Sequence, residues 1–294
     1  MDLSATDAPR LDGKSIAAAT TTVVLWASAF VAIRSAADHF TPGALALGRL
    51  AVGSAALLAL LVYRREGPLP RAAWPGTAVS GVLWFGLYMV ALNWGERQVD
   101  AGTAAMLVGI GPVLIALLGG WLLGEGFPRK LLAGMAVSFA GAVVVGVSMS
   151  TGGQGSSLLG IALCLGAAVA YAGGVVAQKP ALRHGSPLQV TTYGCLIGAV
   201  ACLPFAGRLV IEVAAAPLSA TACVVYLGLF PTALAFTTWA YAVSRTTAGR
   251  MGATTYAVPA LVVLMSWSLL GETPLPLTLL GGALCLAGVA VSRR

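Results

Sequence analysis

The sequence predicts an all-α polytopic membrane protein: ten transmembrane helices arranged as two inverted five-helix repeats around a central cavity. Three observations predict it. Hydrophobic residues make up 58% of the chain and charged residues only 9%, with a mean hydropathy of +0.89, whereas about a quarter of residues are charged in soluble domains. Residues 15–33, 72–95, 101–124, 185–207, 213–244 and 273–292 contain no Asp, Glu, Lys or Arg, and about 20 apolar residues suffice to cross the hydrocarbon. Finally, PVLIALLGGWLLGE at 112–125 returns 147 positions later as PALVVLMSWSLLGE at 259–272, the mark of an internal duplication.

Residues 1–15 mix Asp2, Asp7 and Asp12 with Arg10, Lys14 and Pro9 and are expected to form a mobile cytoplasmic tail. The apolar run behind them is too long for a cleavable signal and continues directly into a polytopic pattern. The first repeat, 16–149, supplies spans 16–36, 43–63, 73–95, 101–123 and 131–149. The 48 uncharged residues 131–178 are divided by the polar turn Thr151 to Ser157, so 150–157 reads as a short external linker between two helices. The second repeat, 158–292, supplies spans 158–179, 188–206, 218–243, 249–270 and 277–292, and 293–294 form the cytoplasmic terminus. Continuous rather than alternating apolar runs argue against a barrel. An offset of 145 aligns Trp26 with Tyr171, Arg34 with Lys179, Pro42 with Pro187 and Gly53 with Gly198, while Gly134 and Gly141 recur as Gly281 and Gly288.

With both termini cytoplasmic, the loops place 13 basic residues inside and three outside (Arg34, Arg97 and Arg208), with Arg49 left within a span. Short cytoplasmic loops carry such an excess. The net charge of +7 is then an orientation and lipid-headgroup signal rather than a nucleic-acid footprint. Five crossings per repeat bring the second half in from the opposite side, so the repeats are inverted. Inverted repeats are a device of secondary transporters, which expose a central site alternately to either side; a duplication that merely builds a stable bundle is the alternative. The five cysteines (Cys164, Cys195, Cys202, Cys223 and Cys285) lie scattered in predicted spans without CxxC spacing, as small packing residues do.

Several of these features together resemble a known family. They are the five-plus-five plan, Pro42 followed seven positions on by Arg49, Tyr88 with Ala91 and Leu92, and the P…LLGE segments leading into Gly-patterned helices. The chain resembles the EamA branch of the drug/metabolite transporter superfamily over residues 15–292, and within it the YddG-type exporters of aromatic amino acids. The resemblance implies a basket-like bundle with a central cavity and efflux from the cytoplasm. The second repeat departs from the first at Gly194, the counterpart of Arg49.

Candidate functional positions follow from chemistry that hydrocarbon does not otherwise tolerate. Pro112 and Pro259 are expected to kink the fourth and ninth helices and to deprive the carbonyls of Val108 and Thr255 of their usual donors. With Gly109 and Gly111 they form a hinge set; a purely structural kink is the alternative. Pro231 has Trp84 as its first-repeat counterpart. Arg49 is read as an anchor or gate latch rather than a ligand, since a charge in a span costs on the order of 3 kcal/mol and Asp38, Glu96 and Asp100 lie on the same side. The deep aromatics Trp26, Tyr88, Tyr171, Trp239 and Tyr256, with Trp84 also deep, are candidates to line the cavity and stack a planar substrate. Lipid contact or packing is the alternative for each. Asn93 and Gln178 are candidates for the polar groups of an amphipathic substrate.

Absences narrow the function further. Neither Asp nor Glu lies deep in a span, and His39 and His184 sit in loops, which favours facilitated efflux over tight proton coupling. Walker A, HExxH and GxSxG sequences are missing, so neither an enzyme nor an ATP-driven pump is expected, and no catalytic, cofactor or metal residue is assigned. The expected protein is a secondary transporter in a bacterial-type inner membrane that exports small amphipathic metabolites, foremost aromatic or neutral amino acids, by alternating access. A broad drug or metabolite exporter is the first alternative, and a membrane-embedded lipid-modifying enzyme a remote one. Its partners are an amino-acid-like substrate and the bilayer, not nucleic acid; a monomer is compatible with the pattern.

Overall fold

A computed structural model of the chain describes residues 12–95, 97–98, 107–149, 157–270 and 276–293, and every regular element among them is helical. The first repeat comprises α1 (Gly13–Ala36), α2 (Pro42–Tyr63), α3 (Arg71–Gly95), α4 (Gly111–Leu122) and α5 (Arg129–Met149). The second comprises α6 (Leu158–Ala181), α7 (Pro187–Ala201), a short α8 (Ala206–Ala215), α9 (Leu218–Val243), α10 (Ala248–Thr254), α11 (Ala257–Leu270) and α12 (Pro276–Arg293). Local chemistry sets the starts. Asp12 accepts the Ser15 amide at 2.9 Å, and the Ser15 side chain together with that amide holds its carboxyl below the ordinary aspartate range. Ser186 and Gln189 form a capping box ahead of α7, and Pro42 and Pro187 open their helices where no amide donor is required.

Each predicted segment, where it is described, contains a helix or a pair of helices, and residues 101–106 of the fourth lie outside the described residues. Among the described residues, α2, α3, α6 and α9 are each long and apolar enough to cross a membrane, and α7 with the helix after it makes a fifth if that bent pair is one span. Two differences from the sequence expectation stand out. The span expected at 188–206 stops at Ala201 and turns by 53° into a helix ending at Ala215, where the sequence reading placed a loop. The fourth and ninth segments are broken rather than kinked: Gly109 and Ile110 form a turn before α4, and Thr255 and Tyr256 a turn between α10 and α11. The Thr255 carbonyl expected to lose its donor instead accepts the Val258 amide at 2.9 Å, a tight-turn bond that satisfies it at the break.

Repeat-related residues meet at the interface. Gly109 and Tyr256 are repeat mates, and the Tyr256 hydroxyl donates to the Gly109 carbonyl at 2.9 Å. Ser138 and Cys285 are mates too: Ser138 Oγ donates to the Cys285 carbonyl at 3.0 Å, and the Cys285 thiol reaches the Ser138 carbonyl at 3.5 Å. Between α5 and α12 a Cβ on Gly134 would fall 2.6 Å from the Gly288 carbonyl, and one on Gly141 2.6 Å from that of Gly281. These mated helices therefore run antiparallel, as a two-fold axis lying across their length requires. Small residues let membrane helices approach backbone to backbone in this way. Acids repeat the pattern at the ends: Glu212 accepts the Thr41 amide ahead of α2 at 2.8 Å, while Glu66 accepts the Ser186 hydroxyl ahead of α7.

Candidate functional site

A cavity of about 150 Å³ lies among α1, α2, α3, α4, α6, α9 and α11 and the turn ahead of α11, with room for on the order of ten water molecules. It occupies the half of the bundle toward the C-terminal ends of α1 and α3, because its wall includes Trp26, Ala29 and Ile33 of the first and Trp84, Tyr88 and Asn93 of the second. Aromatic rings dominate it. Trp26 packs against Trp84, Phe236 and Trp239 with centroids 5.9, 5.3 and 5.1 Å away, and Tyr171 bridges Trp84 and Tyr88 at 5.5 and 5.6 Å. Offset and edge contacts of this kind add attraction beyond burial and hold the rings in fixed orientations. The Trp26 indole also donates to the Pro231 carbonyl at 3.2 Å, so the π-helical stretch of α9 around that proline is tied directly to a ring of the wall.

That stretch has a counterpart in the other repeat. Residues Gly81–Tyr88 of α3 and Gly228–Leu234 of α9 are π-helical and occupy equivalent places in the two repeats. Each opens at a glycine pressed onto the other repeat. A Cβ on Gly81 would fall 2.9 Å from the Gly194 carbonyl, and one on Gly228 2.8 Å from that of Arg49. A π turn admits one extra residue and re-aims the side chains that follow, and such turns collect at functional sites. Here they place Trp84, Phe85 and Tyr88 on one side and Thr232 on the other.

Of the residues singled out from sequence, Trp26, Arg49, Tyr88, Asn93, Gly109, Pro112, Tyr171 and Tyr256 all line the cavity. Gly111 lies directly behind, where a Cβ would meet the Tyr171 ring at 2.6 Å. Two of the expected cavity residues stand elsewhere. Trp239 is fully buried outside the wall, screened by Trp26. Gln178 is also fully buried and absent from the wall, one turn along α6 from Gly174, which packs on Trp84. Pro259 is the third residue of α11, and its side chain lies outside the described residues. Phe236, Thr255 and Val258 join the wall without having been singled out as cavity residues, since a single sequence does not reveal which face of an apolar helix points inward.

The polar groups of the wall are few and mostly engaged. Asn93 Nδ2 donates to the Pro42 carbonyl at 3.1 Å, and Thr255 Oγ1 to the Gly252 carbonyl at 2.7 Å. Arg49 donates from Nε to Thr232 Oγ1 at 3.1 Å. It makes no ion pair among the described residues: Asp38 is exposed, and Glu96 and Asp100, the other acids expected to reach it, lie outside them. At the far end of the bundle the helices are tied together. Lys179 Nζ donates to the Val243 carbonyl and stands 3.9 Å from Glu125 Oε1, while Glu125 accepts the amides of Ala248 at 2.8 Å and Gly249 at 3.3 Å. One carboxylate thereby caps the start of α10, where unpaired amides favour negative charge, and holds α6 to it.

A family model describing the EamA-like transporter family matches residues 13–147 and again residues 158–294. The chain belongs to the EamA-like transporter family. Each repeat of the fold is thus one EamA unit, and the EamA family is one of transporters rather than enzymes. Among curated EamA relatives, a probable terminal-alkyne amino-acid exporter of Streptantibioticus cattleyicolor is 41% identical over 96% of this chain and 94% of its own. The uncharacterized transporter YdfC of Bacillus subtilis is 34% identical over 90% and 86%. A probable amino-acid metabolite efflux pump of Salmonella typhimurium is 26% identical over 92% and 91%. A crystal structure of a protein 23% identical superposes with a TM-score of 0.78 over 96% of each chain, which shows a shared fold.

Proposed function

We propose that this EamA protein is a secondary transporter that exports amino-acid-like metabolites, foremost those with an aromatic or otherwise apolar π-rich side chain, across a bacterial-type inner membrane by alternating access. The observation that carries the reading is the aromatic cavity at the meeting of the two repeats, supported by relatives named as exporters of a terminal-alkyne amino acid and of amino-acid metabolites. Rings at fixed angles offer faces to a planar or alkyne side chain, and each contact contributes about 1 kcal/mol, little enough to release the cargo. Ten spans with both termini cytoplasmic put the Lys179–Glu125 tie inside and the cavity in the outer half. The arrangement is then the outward-facing one, its cytoplasmic side closed.

Purified protein in proteoliposomes loaded with labelled phenylalanine, or with an alkyne-bearing amino acid, tests this directly. Efflux is expected to exceed that of empty liposomes and to be competed by other apolar amino acids. A flat time course across aromatic, alkyne and aliphatic amino acids would sink the substrate class. The second reading, a broad drug exporter, predicts competition by lipophilic cations instead, and the lack of any acid among the described wall residues weighs against it.

A further inference from the structure

We propose that Arg49 is the carboxylate-binding residue of the cavity, and that the site selects its cargo as a monocarboxylate with an apolar side chain without charge recognition of the ammonium group. The inference deepens the export reading and rests on it for the class of cargo.

Three observations meet at this residue. Arg49 is the one charged side chain among the described residues of the wall, which include no acid. Of the five N–H donors of a guanidinium, only the Nε proton is used among the described residues, on Thr232. The terminal nitrogens find no acceptor among the described residues, yet they do not number among the sealed polar atoms, and Arg49 lines the cavity. A buried guanidinium held by Nε is preset for its terminal pair to take a planar carboxylate with two parallel bonds.

The pseudo-symmetry sharpens the point. In the other repeat Gly194 takes the place of Arg49 and Phe85 that of Thr232, and a Cβ on Gly194 would fall 3.2 Å from the Phe85 ring. The same crossing is polar and charged on one side of the axis and apolar on the other. A structural anchor common to the fold would be needed at both crossings; a cargo with one carboxylate and one apolar end needs it at one. The aromatic cluster of Trp26, Trp84 and Phe236 supplies the apolar end. Thr232 acts as a positioning residue, and the π turn that carries it is what brings its hydroxyl to Nε.

The test compares two analogues that each lack one charge of phenylalanine. With wild-type protein in proteoliposomes, 3-phenylpropionate is expected to compete with labelled phenylalanine about as well as unlabelled phenylalanine does. Phenethylamine is expected to be weaker by about tenfold or more, the worth of a charge-assisted hydrogen bond. R49Q should raise KM about tenfold or more with a smaller change in kcat, R49K should raise it less, and T232V should give an intermediate rise by freeing the guanidinium. If R49Q does not fold, the wild-type competition and T232V decide. Equal competition by the two analogues, or stronger competition by the amine, overturns the proposal while leaving amino-acid export standing. If no amino acid is transported, the export reading falls. Thermal stabilisation of the purified protein by phenylpropionate over phenethylamine then still supports the carboxylate site, and equal stabilisation overturns it.

Discussion

Tyr256 shows how much one side chain contributes here. Its ring lies in the cavity wall and its hydroxyl bonds the Gly109 carbonyl, so a single residue joins the breaks of two repeat-related helices. In a bilayer an unpaired carbonyl has no solvent to turn to, and one such hydrogen bond is worth about 1 kcal/mol. Y256F, which keeps the ring, is therefore expected to lower the thermal midpoint in detergent by a few degrees and to weaken apolar amino acids little. An unchanged midpoint would mean that the bond is not part of the folded state. At this scale the sequence disclosed residue types better than partners. Arg49 announced itself as a charge inside an apolar run, but Thr232, 183 positions away, carried no signal that it would meet Nε. Glu66 and Glu212 carried no signal either, because their partners Ser186 and Thr41 belong to the opposite repeat.

Among the elements, α5 and α12 form a close backbone-to-backbone seam and add no described residue to the cavity wall. A Cβ on Gly288 would collide with Ser138 and with the Gly134 carbonyl, and neither can yield without parting the helices. G288V should cost about 1–3 kcal/mol, the usual range for overpacking, and G134V a similar amount. Their costs should not add, because both open the same seam. Fluorescence-detected gel filtration after heating would read the loss, while KM of the folded fraction stays near wild type. A clear change in KM would place the seam in the transport path. The glycine spacing that builds it was visible in sequence as a repeat of Gly134 and Gly141 in Gly281 and Gly288. The break between α10 and α11 was not, because a broken helix and a continuous one have the same apolar composition. Proline marked where the backbone would yield and left undecided how far.

For the whole molecule, the two halves differ in state although they share a plan. Among the described residues, buried polar atoms of Ser15, Ser80, Tyr171, Gln178, Trp239 and Thr246 lack a hydrogen-bond partner, and all of them but Tyr171 lie outside the cavity wall. An unsatisfied buried polar group costs about 1–3 kcal/mol, so a second arrangement that hydrated several of them would be favoured by that release. The Lys179–Glu125 tie to Val243 and α10 opposes it. Cutting the tie while keeping the stem, as in K179M, is then expected to raise the population of the arrangement open on that side. Ser80→Cys provides the reporter, being fully buried as Ser80 is. In inside-out vesicles its labelling by a membrane-impermeant maleimide should be slow in an otherwise wild-type background and faster by about tenfold with K179M, the effect of losing one charge-assisted bond. E125Q should act in the same direction and more weakly, since a neutral amide oxygen can still accept the Ala248 amide. Equal labelling rates in all three would mean that packing of α6, α9 and α10, and not this ion pair, keeps the far end shut.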